Sequence, residues 1–283
     1  MDYLELEVKL DPKDPWSEIL IAELSEAGYE SFMETDFGIL AYASMADIDQ
    51  INPLKGTFLD KKSSFNGNCS WSIQIIPKQN WNESWEKAFH PVQVDDYLTI
   101  LAPFHEKGNA KGLIVEIMPK MSFGTGHHQT TYLMARALFS FNPFPKTVLD
   151  MGTGTGILAI VAEKLGAEKI IAVDIEDWSV ANTIENCERN NCHSIQAVCG
   201  DIDAINAEMQ FDLILANINK NILKAHMSSY AKLLAPNGYL LLSGFFNTDI
   251  EEMTLLLTAN NLSIIDDSEK ENWVYLKCTK KLH

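Results

Sequence analysis

Apolar and acidic residues alternate at the start of the chain. Leu4, Leu6 and Val8 are separated by Glu5 and Glu7, so residues 3–9 read as a half-buried strand. Residues 16–27 switch to helical spacing, with Ile19, Leu20 and Leu24 on one side, and stop at Gly28. Residues 31–34 and 39–43 predict a hairpin around Asp36-Phe37-Gly38, residues 47–54 a short helix, and residues 70–76 a further strand. The order βαββαβ is that of a small α+β, ferredoxin-like domain.

Beyond this the pattern changes. In the connector, residues 77–91, Trp81, Trp85 and Phe89 stand at i, i+4 and i+8, one helical face suited to packing at a domain junction. Short apolar runs then alternate with helical stretches. Strands are predicted at 98–102, 113–117, 147–149, 169–174, 194–198, 211–216 and 239–243, and near 263–266 and 273–278. Helices begin near Thr130, Ile157, Asp177 and Ile222. Pro236-Asn237-Gly238 reads as a turn. The expected architecture is α/β, a doubly wound, Rossmann-like sheet with an antiparallel last strand. The expected divisions are 1–76, a linker at 77–95, and 96–283.

The densest chemistry lies in Asp150-Met151-Gly152-Thr153-Gly154-Thr155-Gly156, between a buried strand and an apolar helix. Strand, glycine turn and helix form the cradle of a nucleotide-binding domain. A dinucleotide site needs G-x-G-x-x-G, and here the sixth position is Ile157. Asp150 would repel a pyrophosphate and suit a ligand bearing cationic groups. S-adenosylmethionine, with a sulfonium, an ammonium and no phosphate, fits Gly152, Gly154, Gly156 and Asp150 better than a nicotinamide cofactor does. Asp174 ends the second strand about 20 residues beyond the turn, where a carboxylate accepts hydrogen bonds from ribose hydroxyls. It could also cap the helix near Asp177, and both roles can hold. Asp201 ends the third strand, placed for an adenine amino group or for a turn.

Ala216-Asn217-Ile218 ends the fourth strand, beside the cradle. The carbonyl of Asn217 could accept a hydrogen bond from an incoming amine and aim its lone pair, or it could form an Asx turn before the next helix. Upstream, Phe123-Gly124-Thr125-Gly126-His127-His128-Gln129-Thr130-Thr131 offers hydroxyls and free helix N–H groups, Thr131 among them. His127 and His128 are adjacent and point about 100° apart in a helix, so a hydrogen-bonding or structural role is expected and no metal.

The loop 123–131, the turn 150–156, Asp174 and the Ala216-Asn217-Ile218 tip together resemble the ribosomal protein L-11 methyltransferase family (PrmA-type). The turn and Asp174 are shared by most class I methyltransferases. The Phe-Gly-Thr-Gly loop combined with the Ala-Asn-Ile tip is more specific. The family loop usually reads F-G-T-G-T-H-P-T-T, and this chain has His127 and Gln129 where threonine and proline are usual. The resemblance covers residues 78–283, and the N-terminal third by architecture. It implies a class I methyltransferase fold, S-adenosylmethionine as cofactor, amino groups of ribosomal protein L-11 as acceptors, and an N-terminal domain that grips that protein.

Composition changes the picture little. The net charge of −17 argues against a nucleic-acid surface and suits either a basic protein partner or solubility alone. Five cysteines without a C-x-x-C pair read as reduced thiols. The acidic N-terminus is no signal peptide and no apolar run is long enough for a membrane span. A cytoplasmic monomer is expected. The expected activity is methyl transfer to lysine side chains, with the N-terminal amine as a further acceptor. The rivals are a glutamine or nucleobase amino methyltransferase, which would usually carry N-P-P-Y or D-P-P-Y at the fourth strand tip; a nicotinamide oxidoreductase; and a non-catalytic ribosome assembly factor.

Overall fold

The alternation at the N-terminus produces strand β1 (Tyr3–Asp11), whose Leu4, Leu6, Val8 and Leu10 are buried. Helix α1 (Trp16–Glu26) covers them with Leu20 and Leu24. Strands β2 (Ser31–Thr35), β3 (Gly38–Ser44) and β4 (Asn68–Ile76) complete an antiparallel sheet of order β2-β3-β1-β4. In this computed structural model the described residues are 2–61, 65–76, 83–108 and 110–280. They fall into two compact units, Met1–Lys87 and Ala88–His283.

One expected element is absent. Residues 47–54 run through turns and bends rather than a helix. Pro53 lacks an N–H and holds Asn52 away from helical geometry, and Gly56 takes φ +90°. The turn residues Ile48, Leu54 and Phe58 reach the core one by one. The Tyr29 hydroxyl donates to Pro53 O at 3.1 Å and the Phe58 N–H to Glu23 Oε2 at 2.7 Å, which fixes these turns over α1. Among the described residues the first unit is therefore βαββ plus β4.

In the connector, helix α2 (Glu83–Ala88) forms. Trp81 and the Trp85 side chain lie outside the described residues, so the aromatic stripe is seen only at Phe89, whose ring lies 4.5 Å from that of His127. A small sheet follows, with β5 (Val92–Val94), β6 (Leu98–Leu101) and β7 (Leu113–Glu116) in that order.

After helix α3 (Gln129–Leu138), strands and helices alternate: β8 (Thr147–Met151), α4 (Ile157–Leu165), β9 (Lys169–Asp174), α5 (Asp177–Arg189), β10 (Ile195–Cys199), β11 (Phe211–Asn217), α6 (Lys220–Leu233), β12 (Leu234–Phe246), α7 (Ile250–Ala259), β13 (Leu262–Lys270) and β14 (Trp273–Lys280). The sheet order is β10-β9-β8-β11-β12-β14-β13. Its first five strands are parallel, and β14 runs antiparallel to both neighbours, as expected. One face packs on α3, α4 and α5, the other on α6 and α7. Residues 157–162 of α4 are all buried, so its first part is apolar all round. The strand order reverses between β8 and β11, and ligands bind in the crevice outside the carboxyl ends of strands at such a point.

Candidate active site

The crevice is real and has a volume of about 590 Å³, within the range of small-molecule sites. Its floor is the glycine turn after β8. Gly154 sits at φ +58°, and a Cβ there would lie 2.2 Å from Phe123 O. No side chain fits, because the turn is pressed against the upstream loop. Thr155 N–H donates to Phe123 O at 2.9 Å and Thr155 Oγ1 to Gly124 O at 2.7 Å.

Helix α5 holds both segments with buried polar side chains. Thr183 Oγ1 donates to Gly154 O at 3.0 Å and Asn186 Nδ2 to Thr155 O at 2.9 Å. The same Asn186 accepts from Met118 N–H at 2.8 Å, and Asn190 accepts from Glu116 N–H at 2.9 Å. Unpaired polar groups at such depth would cost about 1–3 kcal/mol each, so this network fixes the loop as well as the helix.

The second strand delivers Asp174 to the cleft wall. One carboxylate oxygen accepts from Gly154 N–H at 2.9 Å and the other from Glu176 N–H at 3.1 Å. Asp174 thus ties the glycine turn to the start of α5, and each oxygen keeps a lone pair for a ligand. Asp201 also lines the cleft, and its Oδ1 accepts from Asp203 N–H at 3.0 Å, the turn role weighed for it.

At the tip of β11, the Asx turn falls to Asn219, whose Oδ1 accepts from Asn221 N–H at 2.9 Å and caps α6. Asn217 lines the cleft, and its side-chain amide has no hydrogen-bond partner among the described residues. Ile218 between them is gripped by two glycines. A Cβ on Gly152 would meet Ile218 Cγ2 at 2.2 Å, and one on Gly244 would meet Ile218 O at 2.1 Å. Gly244 gave a signal in the sequence, a lone glycine inside a strand pattern, which marks close backbone approach.

Three expected cofactor residues stand elsewhere. Asp150 is 1% exposed and does not line the cleft. It accepts from Thr153 Oγ1 at 2.7 Å beneath the turn. Burial pushes its carboxyl up to about 7, the hydroxyl of Thr153 and the Ala159 N–H pull it down, and Asp174 adds to the rise. Its part is to brace the turn from below. Gly156 is also off the cleft, packed against Thr183. Thr131 is fully buried with an unpartnered hydroxyl, and the cleft wall is its neighbour Thr130. The two point about 100° apart on α3.

The walls join the 123–131 loop to residues with no local motif. Phe123, His128 and Trp273 meet edge to face in series, with centroids 5.2 and 4.7 Å apart, and Phe246 lies 4.1 Å from Trp273. Met121, Ile175, Trp178, Ile222 and His226 add apolar surface. His128 caps α3, accepting from Thr130 N–H at 3.2 Å. Burial lowers its pKa, which favours the neutral ring that can accept. His127 bonds His90 O at 3.0 Å. Among the described residues no group of three or more His, Cys, Asp or Glu is placed to hold a metal ion, and no helix is long and apolar enough to cross a membrane.

The cleft therefore offers an adenosine-sized slot with a carboxylate at each of two strand ends, close backbone at Gly152 and Gly154, and a free amide beside apolar walls. These features fit S-adenosylmethionine. A family model described as ribosomal protein L11 methyltransferase (PrmA) matches residues 18–281. The ribosomal protein L11 methyltransferase of Porphyromonas gingivalis is 40% identical over 280 residues, 98% of this chain and 93% of its own. That of Bacteroides thetaiotaomicron is 36% identical over 281 residues, covering 99% and 100%. A crystal structure of ribosomal protein L11 methylase from Lactobacillus delbrueckii subsp. bulgaricus superposes with a TM-score of 0.63 at 30% identity, over 69% of this chain and 100% of the other. The chain belongs to the ribosomal protein L11 methyltransferase (PrmA) family.

Proposed function

We propose that this protein transfers methyl groups from S-adenosylmethionine to amino groups of ribosomal protein L11, lysine side chains first and the N-terminal amine as a further acceptor. The observation that carries the chemistry is the free amide of Asn217 at the tip of β11, with the capping role taken by Asn219. The family match supports the acceptor protein.

Asp174 and Asp201 would hold the ribose and adenine, and the backbone at Gly152 and Gly154 would lie against the rest. When bound, the cofactor supplies a methyl group already activated by a positively charged sulfur. The chain then has to bring a neutral amine into line. Free lysine titrates at about 10.4. Apolar walls such as Phe123, Ile218 and Trp273 desolvate the ammonium and lower that value. The Asn217 carbonyl accepts one N–H of the amine and leaves the lone pair aimed at the methyl. Catalysis then rests on proximity and orientation, and this account assigns no side chain as general base.

The test is one tube with methyl-labelled cofactor, purified enzyme and ribosomal proteins, with ribosomal RNA and a glutamine-bearing protein acceptor in parallel. Label in the amines of L11 is the expected result. Label in RNA or glutamine, or none at all, would reject the reading.

A further inference from the structure

Strand β4 is an edge strand of unusual composition. Among the described residues it pairs with β1 alone. Its nine residues, Asn68-Cys69-Ser70-Trp71-Ser72-Ile73-Gln74-Ile75-Ile76, include no charge, no proline and no glycine. Edge strands of monomeric proteins are normally short, charged or broken, because their free N–H and C=O groups invite pairing. The opposite edge follows that rule. β2 has five residues, and its Glu34 is paired with Lys13 at 3.1 Å.

The register adds a second observation. Trp71, Ile73 and Ile75 lie opposite Val8, Leu6 and Leu4 and so share their face of the sheet. The β1 members are at most 1% exposed, yet Trp71, Ile73 and Ile75 are 47, 40 and 54% exposed. The core face continues onto β4 and is exposed there. Helix α1 lies against β3, and residues 47–54 are turns.

Charge decides between occupants. Residues 1–87 hold sixteen Asp and Glu against seven Lys and no Arg. On the polar face, Glu7 and Glu5 of β1 stand opposite Ser72 and Gln74. A strand added to β4 would lie about 10 Å from them, two strand spacings, within reach of lysine or arginine side chains crossing β4. A second copy would bring a second set of acids and a second charge of −17.

We propose that β4 is the docking edge for an extended segment of the methyl-accepting protein. The segment adds as a strand, with apolar residues beside Trp71, Ile73 and Ile75 and basic residues toward Glu5 and Glu7. This rests on the proposed protein substrate and names the surface that receives it.

The test uses the full chain carrying Ile73→Lys and Ile75→Lys, both at exposed positions, with an unchanged melting curve as the control for folding. The KM for intact ribosomal protein L11 should rise about tenfold or more, while cofactor Kd and the rate on a short lysine peptide stay at wild-type values. An unchanged KM for L11 would overturn the proposal. Hydrogen exchange on the wild-type chain reads the edge directly. Amides of β4 should slow when L11 is added. Protection that instead follows enzyme concentration, together with a dimeric mass, would assign the edge to a second copy and overturn the proposal. Should the wild-type enzyme methylate neither acceptor, the methyl-transfer reading fails, and the exchange pattern still decides the docking edge.

Discussion

Replacing Asp174 with alanine separates two jobs that one carboxylate performs. In the structure its oxygens accept from Gly154 N–H at 2.9 Å and Glu176 N–H at 3.1 Å. Both donors lie at the cleft, so water can re-solvate them, and the fold should lose only about 1.5 kcal/mol per bond, the low end for hydrogen bonds to charged groups. The ribose hydroxyls should lose more, because a bound ligand displaces that water. A loss of about 1–3 kcal/mol in cofactor affinity corresponds to roughly 5- to 150-fold in Kd. Calorimetry with S-adenosylmethionine or S-adenosylhomocysteine, beside a melting curve on the same sample, reads both. A lowered melting temperature with unchanged Kd would leave Asp174 as a brace for the turn and refute the ribose assignment.

Other positions give sharper contrasts. Asn217→Ala should lower kcat by an order of magnitude or more with cofactor Kd within about twofold, since the amide acts on the acceptor amine; a change in Kd alone would make it a cofactor contact. Gly152→Ala should damage both stability and cofactor binding, because its Cβ would overlap Ile218 Cγ2 at 2.2 Å; a wild-type melting curve would show that the strand tip is not held as described. Asp150→Asn tests the buried acid. Its folded pKa, about 7, lies above the ordinary 3.8. Below the ordinary value the carboxyl is neutral in both states. As pH rises toward 7 the unfolded chain ionises first, so the wild type loses stability relative to the asparagine variant, by a few kcal/mol at about 1.4 kcal/mol per unit. Denaturant midpoints that stay parallel from pH 4 to 8 would contradict that burial.

The parts of the site that were legible in sequence are those fixed by local pattern. The glycine turn, Asp174 and Asn217 each sit at a strand end, and an apolar run of four to seven residues ending in a polar one marks such a point. Asp150 and Thr131 each lie one residue of phase from a neighbour that lines the cleft, Met151 and Thr130. A strand residue faces the opposite side from its neighbour, and a helical one turns by about 100°. The walls were not legible. Trp273, Gly244 and His226 come from β14, β12 and α6 and meet only through the sheet order. The buried polar face of α5, with Thr183, Asn186 and Asn190, was visible as residues at helical spacing, and its meaning required the loop it holds. In the first unit, Pro53 and Gly56 were in plain view and argue for turns rather than the helix expected at 47–54.

The central claim is that the cleft methylates amines of a protein acceptor, and intact mass spectrometry of ribosomal protein L11 tests it most directly. After incubation with enzyme and S-adenosylmethionine, L11 should gain mass in steps of one methyl group, and fragments should place those methyls on lysine side chains or the N-terminal amine. L11 with its amines acetylated beforehand should gain none, and Asn217→Ala enzyme should add methyls far more slowly. An unchanged L11 mass with enzyme shown by calorimetry to bind the cofactor, or methylation that survives acetylation of the amines, would contradict the account.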